Sequence, residues 1–472
     1  MAGLTSQTKA KETREALLTG PVFPQVVRFG IPTMISMLTP AIYNTTAAYF
    51  VSDLGTTAIA ALGIVFALHM IMASIGIMAG QGCASQTSRL LGAGDDEAAG
   101  FIAGTGIVVS LFGGTLLTVL GLLFVEPLLR ILGATPTIMP DAKAYAQVLL
   151  MCAPIISVGF TFNNLLRSEG LAIVGMRALL TGGLFNLVLT PCFIQGLGMG
   201  IEGAAWAAVI AQTVSTCLLV SHYVRGQGLL KILLPTKTRF VALAPRILRN
   251  GLPSLLRNGL AAVAASVLNV TAAGFGDAAV AGMSIVGRVI MIVNAIMVGL
   301  GQGYQPVAGF NWGAGNYLRV RTALLSTVTV GTCFMTLSGL IGWWFAKDIV
   351  SVFANGDPDV IAVGTLALQC QFMCFPFIPG SMIANMTYQV LGRAKVASLL
   401  SSLRQGLCFL PLIVVLPHYF GLIGLAAAQP LADVAATLLS LFFLRAILRE
   451  AKALADGTFE ASKKPFRVAN RA

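Results

Sequence analysis

The strongest constraint on this chain is that its second half repeats its first. Gly30 and Pro32 return as Gly251 and Pro253, and Gly55 returns as Gly276. Gly80-Gln81-Gly82 returns as Gly301-Gln302-Gly303, and Gly92-Ala93-Gly94 as Gly313-Ala314-Gly315, every pair 221 positions apart. Cys152, Pro154, Asn163 and Gly170 match Cys374, Pro376, Asn385 and Gly392 at a spacing of 222. Gly200, Ala205 and Ala207 then match Gly421, Ala426 and Ala428 at 221 again. A register held this well over so long a stretch means two copies of one structural unit of about 220 residues.

Composition says where such a unit can fold. Apolar residues make up 56% of the chain and charged residues only 10%, against roughly 25% charged in soluble domains. Apolar stretches long enough to cross ~30 Å of hydrocarbon recur throughout. Twelve are predicted, near 24–50, 57–80, 98–124, 144–165, 178–197, 203–224, 250–274, 278–302, 322–346, 362–391, 397–417 and 421–445. Lipid offers the backbone no hydrogen-bonding partner, so these spans are read as helices. The fold class is therefore an all-α integral membrane protein, with twelve transmembrane helices in two six-helix lobes. Six spans per copy is an even number, so the copies enter the membrane in the same sense, as parallel repeats, and two facing lobes leave a central cavity.

A net charge of +12 would suggest nucleic acid for a soluble chain, but the distribution points elsewhere. With the N-terminus inside, cytoplasmic segments carry 23 of the 30 Lys and Arg, while the outer loops carry only Arg130, Lys143 and Lys347. That asymmetry follows the positive-inside rule. It predicts a multi-pass protein of the inner (plasma) membrane with both termini cytoplasmic. The domain reading is a tail over 1–22, an N-lobe over 23–224, a basic linker over 225–249, a C-lobe over 250–446 and a tail over 447–472. The basic linker is read as an orientation signal with lipid-headgroup contact, and nucleic acid is excluded as a partner.

Other functions find little support. The first 20 residues have no apolar core of a signal peptide. Eight cysteines sit in or beside apolar spans without CxxC spacing and read as reduced small hydrophobes. His69, His222 and His418 are too scattered for a metal site, so no metal or cofactor is expected. Gly198 to Gly203 matches GxGxxG formally but joins two membrane spans, so it reads as a tight turn. No nucleophile–base or carboxylate pair stands out, which argues against an enzyme.

What remains is polar groups inside the membrane, which are costly and usually functional or paired. Arg28 lies near the start of the first span, Arg257, Arg288 and Arg404 lie in the second repeat, and Asp433 is the single embedded acid. Either Asp433 neutralises one arginine as a structural ion pair, or the arginines form a cavity of inverted charge suited to an anionic ligand. The first repeat instead carries Tyr43, Asn44, Thr45, Thr46, Asn163, Asn164, Asn186 and Gln212. Tyr43, Asn44, Asn163, Asn186, Arg257, Arg288 and Arg404 are thus the candidate substrate residues. Pro32 in the first span removes a backbone donor and is the candidate hinge.

The chain resembles the multidrug and toxic compound extrusion (MATE) transporters, and among them the DinF-like branch, over about 20–450. The resemblance rests on Gly30-Ile-Pro32 with Tyr43-Asn44-Thr45, on Gly251-Leu-Pro-Ser-Leu-Leu-Arg257, and on Gly299 to Pro306 running into Gly309 to Gly315. Ser402-Leu-Arg-Gln-Gly406 and Ala428 to Asp433 complete it. It implies alternating access around a central cleft and antiport of small organic, often cationic, compounds against Na⁺ or H⁺. The helix 7 acid of the other MATE pattern, eight residues past the Gly-x-Pro proline, is Ala261, and three further departures fall on one site. The acid usual in helix 1 is Ala47, the Asp of the helix 5 Asn-x-x-x-Asp-Pro pattern is Thr190, and the helix 6 Thr is Ala208. Without these carboxylates the N-lobe cation site is read as degraded, which leaves Asp433 as the coupling candidate and makes H⁺ a better coupling ion than Na⁺.

Three readings follow. The preferred one is a monomeric MATE-type drug exporter, with a small-molecule substrate and the lipid bilayer as partners. The first alternative is a carrier or flippase for an anionic or lipid-linked substrate. The second is a membrane sensor or scaffold that kept the fold without transporting.

Overall fold

The computed structural model describes residues 12–354 and 356–457, the side chains of 41–46 excepted. Among the described residues it is helical and has no strand. Among the described residues, nine helices are long and apolar enough to cross a membrane, or ten when the bent pair Met139–Met151 and Ala153–Ser168 counts as one span. The 62-residue run Ala394–Ala455 makes two passes, because Gly421 at φ 58° and ψ −134° breaks its last helix. Helix α1, Val22–Ser52, with Pro32 and Pro40 inside it, completes the twelve.

The remaining passes of the first repeat are α2 (Thr56–Ala93), α3 (Asp96–Leu123), α4 (Met139–Met151) with α5 (Ala153–Ser168), α6 (Ala172–Pro191) and α7 (Gly200–Val224). Those of the second repeat are α8 (Lys237–Ala273), α9 (Asp277–Gly313), α10 (Tyr317–Trp344), α11 (Pro358–Cys374) with α12 (Ile378–Val390), and α13 (Ala394–Ser402) with α14 (Phe409–Ala455). The fourth pass of each repeat is interrupted at the same place. One bends by 56° between α4 and α5, at Cys152 before Pro154; the other passes through a 3-10 turn at Phe375–Phe377, around Pro376. Proline lacks the N–H and crowds the carbonyl four residues back, so each repeat breaks where its sequence places one. The GxGxxG stretch turns at its start, 198–199, and from Gly200 it is already the first turn of α7. Gly198 and Gly200 have φ of 66° and 58°, a region that favours glycine, and Gly421, the repeat mate of Gly200, has φ 58° as well.

Compact units do not coincide with the sequence lobes. One unit comprises residues 1–20 and 31–251, the other 21–30 and 252–472. The boundary therefore falls inside α1 and inside α8, at the repeat-related Gly30 and Gly251, two residues before Pro32 and Pro253.

In the first unit α2 packs on α3 and α5, and glycines set the spacing. A Cβ on Gly76 would lie 2.9 Å from Ser157 Cα, and one on Gly114 2.6 Å from Pro154 Cα. Small residues allow such close approach where lipid supplies no hydrophobic drive between helices. A core of Leu68, Met72, Leu129, Leu149, Leu150 and Ile156 fills the space between them.

The stretch read as a basic linker over 225–249 is packed against the first repeat. Helix α8 already begins at Lys237, and the residues before it form an extended strap lying on α3. Leu233 N donates to Gly100 O at 3.2 Å. A Cβ on Gly100 would meet Lys231 O at 2.3 Å, and one on Gly104 would meet Leu233 O at 2.0 Å. The Arg239 guanidinium stacks 4.1 Å above the Phe101 ring, a cation–π contact. Glu169, fully buried at the end of α5, ties the strap down by accepting from Leu229 N at 2.6 Å, Leu230 N at 3.3 Å and the Tyr223 hydroxyl at 2.5 Å.

Burial pushes the Glu169 carboxyl up to about 7, against the pull of these three donors. An acid whose folded pKa is raised holds its proton in the folded state after the unfolded state has released it. Its contribution is then lost as pH rises from the ordinary value of 4.5 to about 7, at most about 3 kcal/mol. Hydrogen exchange of the amides over 228–236 should rise from pH 6 to pH 8 by more than the chemical rate. Glu169→Gln should remove that excess, and equal excess in both proteins would exclude Glu169 as its source.

Candidate functional site

The first unit contains a cavity of about 320 Å³ walled by α1, α2, α4, α5, α6 and α7. That size lies at the low end of small-molecule pockets. Its wall is made by small residues where helices touch. Gly182 of α6 has no room for a Cβ, which would sit 1.9 Å from Ser215 Oγ on α7, and Ser215 donates to Ala178 O at 3.1 Å. Phe66, Leu62 and Ile59 of α2 give the opposite wall an apolar, partly aromatic surface.

Three polar side chains stand out on this wall. Asn186, 3% exposed, leaves its Oδ1 without a partner. The half-buried His69 makes no hydrogen bond to the described residues, and Gln212 adds an amide. A buried acceptor without a donor is expensive and marks a place where a bound molecule can repay the deficit. His69, dismissed in sequence as a scattered histidine, becomes a wall residue only because α2 turns that face to α6 and α7.

The remaining N-lobe candidates divide. Ala208 lines the cavity beside Asn186. Thr190 is buried and turned away, its hydroxyl donating to Asn186 O at 2.7 Å, as a helical threonine does when no ligand claims it. Ala47 is half-buried on α1, and the side chains of Tyr43 and Asn44 lie outside the described residues. Asn163 is 6% exposed with its Nδ2 unpartnered. It packs against α6, where a Cβ on Gly175 would come within 2.8 Å of that nitrogen, and it does not line the cavity.

In the second unit the three arginines and the aspartate do not form one cluster. Asp433, 1% exposed, accepts from Arg404 Nε at 2.6 Å and Arg404 Nη2 at 3.3 Å. It accepts further from Gln371 Nε2 at 2.8 Å and Gln429 Nε2 at 3.0 Å. Four donors on one carboxylate, two of them from a charged group, leave it fully hydrogen-bonded. Arg404 reaches it from a π-helical turn, Leu403–Cys408, whose extra residue re-aims the side chain. Gln429 stands one helical turn before Asp433 and could have been read from sequence; Gln371 comes from α11 and could not. Arg257 donates instead to a neutral amide, Asn385 Oδ1, at 3.3 Å, while Arg288 is exposed on α9. No group of three or more His, Cys, Asp or Glu among the described residues is placed to hold a metal ion.

Comparison with known proteins agrees with this architecture. The MatE family model matches residues 32–192 and 253–415, two segments that open on the repeat-related Pro32 and Pro253. The chain is 25% identical over 417 residues to the multidrug export protein MepA of Staphylococcus saprophyticus subsp. saprophyticus, covering 87% of this chain and 91% of that protein. Among solved structures it is similar to a MOP superfamily transporter from Pyrococcus furiosus whose binding pocket is described as having reverse polarity. Identity there is 27% and TM-score 0.86, over 93% of this chain and 98% of that one. A MATE structure in the bent conformation gives a TM-score of 0.87 at 27% identity, over 94% and 99%. Matched in both of its repeats and along nearly the whole fold, the chain belongs to the MatE family.

Proposed function

We propose that this chain is a monomeric secondary exporter of small organic compounds, working by alternating access in the plasma membrane with both termini cytoplasmic. The cavity of the first unit is its compound site. The carrying observation is that cavity of about 320 Å³, apolar except for a few polar groups, one of them the unpartnered Asn186 Oδ1. The relatives named as multidrug export proteins and the basic residues gathered on one side of the membrane support the same reading.

Coupling in this reading does not run through Na⁺ in the first unit. Ala47, Thr190 and Ala208 leave a cation only neutral oxygens there, and burying a charge without a counter-charge costs several kcal/mol even after relaxation. In proteoliposomes, efflux of a lipophilic dye should respond to an imposed pH gradient and not to an imposed Na⁺ gradient. Ala208→Phe, which fills the cavity, should lower efflux at least about tenfold at unchanged expression. Full efflux by that variant would remove the cavity from the transport path.

A second reading, a carrier for an anionic or lipid-linked substrate, is favoured by Arg257, which among the described residues donates to a neutral amide and pairs with no acid. Transport of an anion that Arg257→Gln abolishes, with no effect of Ala208→Phe, would establish it.

A further inference from the structure

Resting on the reading of the first-unit cavity as the compound site, we propose that it binds aromatic weak acids together with one proton, shared between the ligand carboxyl and the His69 imidazole, and that it excludes organic cations.

The argument starts from charge. The helices that wall the cavity bring few ionisable groups, and nearly all lie at helix ends. Helix α1 carries Arg28 near its start, Tyr43 within the span and Tyr49 near its end, α2 carries Arg89 toward its far end, and the thiols Cys83 and Cys217 lie on α2 and α7 away from the cavity lining. Asp141 and Lys143 stand at the start of α4, and Arg167 and Arg177 at the ends of α5 and α6. Glu202, His222 and Tyr223 stand at the ends of α7. Of the described side chains lining the cavity, only His69 and Tyr145 titrate, and none is an acid, a lysine or an arginine. Tyr145 already has a partner elsewhere.

A permanent organic cation entering this cavity would meet no negative charge, and would have to surrender its hydration to an apolar wall. A carboxylate fares no better alone. Beside His69 it finds a base able to hold a proton, and the pair then has no net charge wherever the proton sits, on the acid as COOH···N or on the imidazole as COO⁻···H–N⁺. The proton comes from water, no bond other than O–H or N–H is made or broken, and release of the ligand returns it. The other polar groups suit this occupant: the carboxyl proton stays with His69, a further donor on the ligand can satisfy Asn186 Oδ1, and the Gln212 amide can donate to a carboxyl oxygen. The aromatic wall of Phe66 receives the ring.

Three probes on one ring system test this in the purified full-length protein: 2-naphthoate, neutral 2-naphthamide, and N,N,N-trimethyl-2-naphthylammonium. Calorimetry at pH 7 in two buffers of different ionisation enthalpy should show uptake of about one proton per naphthoate bound, and naphthoate affinity should rise about tenfold per pH unit of acidification. The ammonium probe should bind at least about tenfold more weakly than naphthamide. In His69→Gln the ratio of naphthoate to naphthamide affinity should fall at least about tenfold and the proton uptake should vanish. Naphthamide binding without naphthoate binding, naphthoate binding without proton uptake, or a His69→Gln ratio equal to wild type would each overturn the proposal and leave the compound site standing. Binding of none of the three probes would overturn both.

Discussion

Replacing Asp433 by leucine is expected to destabilise this protein severely, and replacing Arg404 by methionine in the same chain to recover most of the loss. Asp433 is buried and receives four donors from Arg404, Gln371 and Gln429. Removing the carboxylate leaves a guanidinium, with a side chain 22% exposed, and two amides facing an apolar gap. An orphaned buried charge costs about 3–5 kcal/mol, whereas an ion pair exchanged whole for apolar side chains is often neutral. Thermal unfolding in detergent should therefore rank wild type near the double variant, with Asp433→Leu far below. The double variant also separates two roles for the pair. If the carboxylate were the coupling group that its isolation in the sequence suggests, the double variant would fold but lose efflux driven by a pH gradient. Retained efflux would make the pair structural, as its full complement of donors argues.

The second large effect lies in the Gly-Gln-Gly runs, where the two glycines of each run should respond differently. A Cβ on Gly82 would stand 2.2 Å from Ile247 O, in the N-terminal part of α8, with Gly251 N at 3.1 Å. A Cβ on the repeat-related Gly303 would stand 2.5 Å from Gly30 Cα, in the first turns of α1. Both obstacles are backbone, so neither can yield without moving a helix, and overpacking of this kind costs about 3 kcal/mol or more. The first glycine of each run faces something softer. Gly80 faces the Asn164 amide nitrogen at 2.7 Å, and Gly301 the Met386 sulfur at 2.3 Å. Gly82→Ala and Gly303→Ala should yield little monodisperse protein, while Gly80→Ala and Gly301→Ala should be recovered near wild-type amounts. Equal recovery of all four would mean that these crossings are not tight.

Much of this was legible in the chain. Repeat, helical class, pass number and the fourth-pass breaks at Pro154 and Pro376 follow from local rules: hydrocarbon thickness sets span length, an unsatisfied backbone enforces helix, and proline weakens it, although Pro32 and Pro40 stay inside a continuous α1. The turn that opens the Gly198 to Gly203 stretch was legible too, while its last four residues belong to α7. That positions 47, 190 and 208 carry no carboxylate was also visible, because it is a matter of residue identity and not of placement.

Placement was decided only by tertiary structure. Unit boundaries inside α1 and α8 depend on which helices touch, and the reason for Gly82 and Gly303 lies on helices more than a hundred residues away in sequence. The strap over 228–236 reads as a loop because its hydrogen bonds go to Glu169 and Gly100, groups that no local pattern connects to it. Sequence showed three embedded arginines and one acid, but not which arginine the acid takes; that was settled by the π-helical turn that aims Arg404 and by Gln371 arriving from α11. His69 looked isolated because spacing along a chain measures only local neighbours. Its neighbours in the cavity wall come from five other helices, and packing alone brings them together.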